Sequence, residues 1–379
     1  MRPQLFMIGA LLSHPLWSQS FDGTYGSGTG EFAVGTMTTA AGFRSVATHY
    51  DHAGASHEAM VIALTGSGQQ TQLLTLSLPG RVFIQATAPA PGSGTYLLGS
   101  TIPDGRSDHD ALLVRLTATN SVVWTATEDL PGDQQLFGVA LLPDGSVIAT
   151  GVERTTTKHD VLVMRFDLNG GVDWRTTLGG ALDEEGNAIA VDGNGALVVG
   201  RQMNFGNTSD AYLARLDLDG DLAWETSWGG IKDESFRAVT ITPGGYFVAV
   251  GFTDSYGDTT YLGHRFRHVW LMGLQADGDT LWTRAIGDTL FDRAGYGLSS
   301  IPNGDLYVAG ERVDGVDRDG LLMRIDPAAT PIWERTMDHG TYDHLGSVIT
   351  LSNGVLATGW SMGALGHQAW VVRRDGSGD

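Results

Sequence analysis

The sequence predicts an all-β fold, a seven-bladed β-propeller of four-stranded antiparallel blades with about 50 residues per repeat. Three observations predict it. A phrase ending in tryptophan recurs along the chain, a hairpin with a glycine-rich turn recurs between these phrases, and 53 of the 379 residues are glycine. Self-similarity at a fixed period is typical of folds built from repeated units. Radial repetition also allows one long domain, because each blade adds its own part of the core.

The recurring phrase is a strand that leads through a polar turn to a tryptophan. The five tryptophans lie 50, 50, 58 and 51 residues apart, and they are Trp124, Trp174, Trp224, Trp282 and Trp333. A copy without tryptophan begins at Glu58 and a truncated copy begins at Ala369, which makes seven. We name the strands of a blade A to D from the axis outward. In one repeat we expect them at 187–191, 196–200, 210–217 and 221–228.

The two ends of the chain suggest how the ring closes. The last copy ends after its strand C, and residues 21–27 precede the first strand C. We therefore expect an N-terminal strand to complete the seventh blade, the alternative being a missing C-terminal tail. Upstream, Arg2, an apolar run over 5–12 and a small-x-small pattern at 18–20 are typical of a signal peptide. The alternative is an ordinary buried N-terminal strand.

These features predict a signal peptide over 1–20, one propeller domain over 21–379, and export to the periplasm, the cell surface or the medium. A formal net charge of -20 with only two lysines argues against nucleic acid as a partner. No apolar run after the signal peptide reaches the length of a transmembrane segment. We expect a monomer whose partner is a protein or a polysaccharide. The absence of cysteine excludes disulfides, thiolate metal sites and a cysteine nucleophile.

The tryptophan phrase resembles PQQ-like propeller repeats and the related tandem repeats of exported bacterial surface proteins. The shared pattern is a strand followed by Asp-x-x-Gly-x-x-x-Trp, as in Asp167, Gly170 and Trp174. The resemblance implies a propeller and not a quinone, since the chain departs from quinoprotein dehydrogenases in blade number and lacks an adjacent cysteine pair. We predict no cofactor, with calcium as the one ion to consider. A tryptophan repeated in almost every blade is best explained by blade packing, the alternative being a platform for sugars.

Acidic residues recur in the loops from strand D to the next strand A. They are Asp133, Asp183, Asp233, Asp292 and Asp343. The simplest expectation is that they accept hydrogen bonds from loop amides. The alternative is a calcium site or an acid–base pair, since charge is in excess at Asp183-Glu184 and Asp233-Glu234.

The longest repeat contains an insertion over residues 253–268 that is basic and aromatic in an acidic chain. Its candidate ligand- or partner-binding residues are Tyr256, Tyr261, His264, Arg265, Phe266, Arg267 and His268. The alternative is a loop that folds back over a neighbouring blade and pairs with acidic residues there.

No nucleophile elbow, HExxH motif, P-loop or dinucleotide fingerprint is predicted. We therefore expect an exported binding or scaffold propeller that contacts a protein or polysaccharide through its D–A and B–C loops. The alternative is a polysaccharide hydrolase or lyase that uses carboxylates on the same face. The sequence favours the non-enzymatic interpretation without deciding it.

Overall fold

The computed structural model describes residues 20–27, 30–51, 56–257, 265–363 and 366–379. In these ranges the chain forms 28 strands in seven separate four-stranded sheets. One short 3₁₀ turn, Pro91–Ser93, interrupts the strands. No helix in the described ranges is long and apolar enough to cross a membrane.

Strand β1 lies apart from the strands that follow it in sequence, and the first three blades come next. The bounds are β1 Phe21–Tyr25; blade 1, β2 Glu31–Thr39, β3 Gly42–Asp51, β4 Ser56–Thr65 and β5 Gln70–Leu76; blade 2, β6 Arg81–Ala90, β7 Gly94–Ile102, β8 Asp110–Leu116 and β9 Val122–Glu128; blade 3, β10 Asp133–Leu141, β11 Val147–Arg154, β12 His159–Phe166 and β13 Val172–Leu178.

The remaining blades follow the same order. The bounds are, for blade 4, β14 Glu184–Val191, β15 Ala196–Met203, β16 Ser209–Leu216 and β17 Leu222–Trp228; for blade 5, β18 Glu234–Ile241, β19 Phe247–Thr253, β20 His268–Leu274 and β21 Thr280–Ile286; for blade 6, β22 Asp292–Ser300, β23 Leu306–Asp314, β24 Asp317–Ile325 and β25 Pro331–Met337; for blade 7, β26 Asp343–Leu351, β27 Gly354–Gly363 and β28 Gly366–Asp375.

The predicted fold class, a seven-bladed β-propeller of four-stranded antiparallel sheets, is confirmed. Each blade is a meander in which strand A lines the central channel and strand D lies outermost. The core lies between blades, because both faces of every sheet are covered by its neighbours. Seven apolar clusters, one at each blade–blade interface, close the ring.

The N-terminal strand completes the seventh blade, as expected. Strand β1 pairs antiparallel with β28 and becomes the outer strand of a sheet with the order β26, β27, β28, β1. Phe21 lies opposite Arg373, just as Trp174 lies opposite Arg165 in blade 3. Phe21 therefore takes the place that tryptophan has in other blades. The ring is therefore closed by a strand with weak intrinsic β-strand propensity that forms specific pairs with β28.

The repeated tryptophans lie half-buried on strand D, against the next blade. The indole N–H of Trp174 donates to the carbonyl of Leu218 in the C–D turn of that blade at 3.0 Å. Trp124, Trp224 and Trp333 donate to equivalent turns at 3.0, 3.1 and 3.0 Å. The ring of Trp174 covers Gly220, whose φ of +91° and 2.8 Å clearance leave no room for a side chain. Blade packing by these tryptophans stays a prediction that stability measurements test.

The arginines of strand C bind the A–B turn of their own blade. Arg165, Arg215 and Arg324 bind carboxylates of the A–B turn in their own blade, at 3.2, 2.6 and 2.6 Å. The aspartates two residues further along instead cap the C–D turn. Asp217, for example, accepts the N–H groups of Asp219 and Asp221 at 2.9 Å.

Candidate functional site

The D–A and B–C connections emerge on one face of the propeller, which we call the upper face. The first strand of every blade carries a β-bulge at the same position below this face. Bulges change the direction in which a side chain points. The seven bulged residues line the central channel. They are Val34, Gln85, Phe137, Asn187, Arg237, Tyr296 and Gly346, and we call them the bulge ring.

The bulges explain the glycine that recurs on strand B. Where strand A bulges, its backbone approaches strand B closely. A Cβ at Gly200 would lie 1.8 Å from the Glu185 carbonyl oxygen, and one at Gly359 would lie 1.8 Å from that of His344. Glycine in a strand marks a bulge or a close backbone approach. The recurring glycines were therefore the one sequence signal that could have located the bulge ring.

The bulge ring is chemically asymmetric, although its positions repeat. Arg237 is its only charged member, while Phe137, Tyr296 and Val34 are aromatic or apolar. Asn187 donates to the backbone carbonyl of Phe236 in the next blade at 2.7 Å, so its amide already has a partner. At Gly346 the backbone lies close to His344, since a Cβ there would be 3.2 Å from the imidazole Nε2. Repetition therefore sets the place of these residues, and their chemistry distinguishes one sector of the channel from another.

Above the ring, between blades 5 and 6, lies a cavity of about 720 Å³ that we call the cationic cavity. Its lining includes five cations, namely Lys232, Arg265, Arg267, Arg293 and Arg318. Three of these pair with carboxylates: Arg267 with Asp254, Arg293 with Asp288, and Arg318 with Glu311. The wall still carries an excess of positive charge, in a chain whose formal net charge is -20.

A second cavity of about 570 Å³ lies on the same face at blades 7, 1 and 2, and we call it the aromatic cavity. Its aromatic and imidazole rings are those of Phe32, Tyr50, His57, Phe83, His344 and Trp360. His57 lies between Tyr50 and Phe83, with ring centroids 4.5 and 4.3 Å away. His344 stacks on Trp360 at 5.5 Å. Such a lining suits an apolar or aromatic group with few polar contacts.

A buried glutamate joins the two cavities. Glu311, 5% exposed, accepts hydrogen bonds from Tyr296 at 3.0 Å and His344 at 3.4 Å, and it pairs with Arg318 at 3.1 Å. Burial alone would raise the pKa of Glu311, but the contacts with His344, Arg318 and Tyr296 lower it below its usual range. Burial and the Glu311 charge raise the pKa of Tyr296. This network keeps a fixed carboxylate and a protonated phenol between the cavities.

The insertion contributes unequally to the site. Arg265 and Arg267 reach the cationic cavity, where Arg267 lies 3.9 Å from the Phe252 ring centroid. Tyr256 packs on Trp270 and donates to the carbonyl of Gly229, and His268 is buried at the start of β20. Phe266 is half-buried beside them. Tyr261 and His264 lie outside the described residues.

The acidic loop residues have protein partners. Asp133, Asp183, Asp233 and Asp292 each accept a backbone N–H of the preceding blade at 2.8 or 2.9 Å. Asp343 accepts the N–H groups of His339 and Gly340. Glu184 accepts from Gln202 at 2.8 Å, and Glu234 accepts from Thr253 and Ser255 at 2.9 Å. In the described part of the chain, no group of three or more histidine, aspartate or glutamate side chains is placed to hold a metal ion. Calcium at Asp183, Glu184, Asp233 and Glu234 stays a prediction.

One segment, residues 359–363, matches the GxSxG pattern of hydrolase nucleophile elbows. Its serine, Ser361, is 2% exposed and lies within β27, paired with strands on both sides. An elbow requires a sharp strand-to-helix turn that exposes the serine. This segment is therefore a buried strand.

Acidification should destabilise the fold through the aromatic cavity. Burial lowers the pKa of His57 and of His109, which packs on Phe83. The unfolded chain then binds more protons than the folded one, so the free energy of unfolding should fall as the pH drops below about 6.5. Urea denaturation between pH 7.5 and 5.5 measures this slope. His57→Phe keeps the stacking and removes the titration, so an undiminished slope in that variant would exclude His57 as a source.

The propeller fold recurs in solved structures of low sequence identity. Puromycin hydrolase is 16% identical, with a TM-score of 0.59 over 92% of this chain and 52% of its own. Acylaminoacyl peptidase of Pyrococcus horikoshii is 12% identical, with a TM-score of 0.51 over 91% and 51%. The propeller domain of the trilobed protease of Pyrococcus furiosus, which has an open velcro topology, is 9% identical, with a TM-score of 0.51 over 92% and 97%. This chain spans about half the length of the first two. No family model and no curated protein matches the sequence.

These comparisons correct the predicted function. The predicted binding or scaffold propeller for a protein or polysaccharide, with a polysaccharide hydrolase or lyase as the alternative, is wrong, because the solved structures that share this fold include puromycin hydrolase, acylaminoacyl peptidase and the propeller domain of the trilobed protease. Export is not tested by these similarities and stays a prediction. The geometry gives a physical reason against the enzymatic alternative. The carboxylates it required at Glu184 and Glu234 are buried and already accept hydrogen bonds from neighbouring groups. The coarser prediction of a propeller repeat stands, without a family match to PQQ-like repeats.

Proposed function

We propose that this chain is a peptidase-associated propeller that receives peptides at the upper mouth of its channel. The observation that carries the proposal is the pair of adjoining cavities above the bulge ring, one cationic and one aromatic. A peptide offers both kinds of group, since it has a carboxylate and apolar side chains on one flexible backbone. Volumes of about 720 and 570 Å³ are in the range that holds small ligands.

The fold similarity to puromycin hydrolase and the two archaeal peptidases supports the peptidase association. Hydrolysis itself is assigned to a peptidase unit, because the GxSxG segment of this chain is a buried strand. Export through a signal peptide over residues 1–20 remains part of the proposal, and residues 1–19 lie outside the described ranges. The PQQ-like resemblance is retained as a similarity of repeat pattern, with no cofactor attached to it.

Peptide binding to the chain from Ser20 onward tests the proposal. A fluorescein-labelled tetrapeptide ending in phenylalanine should bind with a saturable rise in anisotropy. Trp360→Ala should weaken binding about tenfold, because it removes a ring that lines the aromatic cavity and stacks on His344. Trp228→Ala is the matched control, since Trp228 is 44% exposed on an outer strand. Absence of saturable binding, or equal loss in both variants, would contradict the proposed function.

A further inference from the structure

Arg237 is the one charged residue of the bulge ring, and its surroundings do not neutralise it. Its Nε atom is buried without a hydrogen-bond partner in the described part of the chain. No ion pair joins its guanidinium to a described carboxylate, whereas Arg154, Arg201 and Arg267 each have one. Burial lowers the pKa of Arg237, yet a guanidinium keeps its proton in proteins.

The carboxylates closest to this region are already used. Glu185 pairs with Arg154 at 2.9 Å and with Arg201 at 2.8 Å. Asp254 pairs with Arg267 through two hydrogen bonds of 2.8 and 2.9 Å. Arg237 and Arg267 also approach the same ring, Phe252, at 5.7 and 3.9 Å. The wall therefore concentrates positive charge at Arg237, since the carboxylates near it form their ion pairs with other arginines.

A charge held in this way favours an incoming anion. Arg237 is half-buried, and a partly desolvated charge without a partner gains from a ligand that supplies one. Guanidinium binds carboxylate through two parallel hydrogen bonds, which gives both strength and orientation. Tyr296, the next member of the bulge ring, lines the cationic cavity, while Val34, Gln85 and Gly346 line the aromatic cavity. An anion at the ring could therefore belong to a ligand that occupies either cavity.

Resting on the function proposed above, we infer that Arg237 binds a carboxylate of the peptide, so that the channel mouth selects peptides with a negative charge beside an apolar side chain. The carboxylate is the C terminus or an acidic side chain. The aromatic cavity receives the apolar group, and the fixed Glu311 between the cavities repels a misplaced carboxylate.

Three versions of one labelled peptide test this inference. The first has a free C-terminal carboxylate, the second a C-terminal amide, and the third an amide with a glutamate next to the phenylalanine. In anisotropy titrations, at least one of the two peptides that carry a carboxylate should bind about tenfold to a hundredfold more tightly than the plain amide. The amide that carries glutamate identifies which carboxylate the site uses. It binds more tightly than the plain amide only if the site accepts an acidic side chain.

The variant Arg237→Gln should bring the acid and the amide within about twofold of each other, while affinity for the amide is retained. Arg284→Gln is the matched control, because Arg284 is an exposed cation on the outer strand of the same blade. Arg237→Gln should also keep its melting temperature, since it removes an unpaired cation. That measurement excludes loss of folding as the cause.

The outcomes separate this inference from the proposed function. If the wild-type chain binds all three peptides equally, Arg237 is not a carboxylate site, and peptide binding stands. If Arg237→Gln keeps the preference for the acid, the carboxylate binds elsewhere and the inference is overturned. If none of the three peptides binds, the proposed function fails and the inference fails with it.

Discussion

A chain that begins at Gly30 should be less stable than one that begins at Ser20 by at least about 3 kcal/mol, because it lacks the outer strand of blade 7. Strand β1 pairs with β28 over five residues. Its Asp22 accepts the indole N–H of Trp370 at 2.7 Å and binds Arg374 at 2.7 Å. Trp370 is fully buried, so without Asp22 its N–H is left without this acceptor. Urea denaturation of the two chains measures the difference.

Two further experiments show whether the strand itself is responsible. Asp22→Ala should cost about 1–3 kcal/mol, because it removes only the acceptor, whereas Asp104→Ala, in an exposed turn, should cost little. A synthetic peptide of residues 20–27 added to the shortened chain should restore part of the lost stability, as strand addition does at open sheet edges. Equal stability of the long and short chains would show that β1 does not hold the ring closed.

Trp224→Ala should lower the free energy of unfolding by about 2–4 kcal/mol. Trp224 is half-buried on strand D of blade 4, donates to the carbonyl of Ala276 at 3.1 Å, and covers Gly278 of blade 5. The substitution removes this hydrogen bond and opens a gap between two blades. Thermal or urea unfolding measures the loss.

Trp228→Ala separates blade packing from a general effect of removing an indole. Trp228 lies on the same strand but is 44% exposed, so its loss should cost less than about 1 kcal/mol. Similar losses in the two variants would contradict the blade-packing interpretation of the repeated tryptophans.

The repeat pattern was sufficient for the architecture because its residues act over short range. In blade 4 the strands Glu184–Val191, Ala196–Met203, Ser209–Leu216 and Leu222–Trp228 overlap the predicted segments closely. The Asp-x-x-Gly turns and the tryptophans specify a hairpin and its contact with the next hairpin. Ring closure followed from the phase of the repeat, even though Phe21–Tyr25 is a poor strand by composition.

The candidate site was largely missed. The basic and aromatic insertion predicted binding residues that include Arg265 and Arg267, and these two line the cationic cavity. It did not single out Arg237 or Tyr296, because neither stands out from its neighbours in the sequence. The strand-B glycines, such as Gly251, mark the close approach of the bulged strand. The excess of acidic residues at Asp183 and Asp233 likewise could not show that both carboxylates already accept hydrogen bonds from backbone N–H groups.

Blade number, strand order and the packing between blades follow from the sequence, because they depend on local patterns repeated about every 50 residues. The chemistry of the channel mouth depends on the closed ring. Closure places side by side bulge residues that come from seven separate blades, such as Arg237 and Tyr296. It also determines which charges find partners across blades, and that pairing leaves Arg237 without one in the described structure.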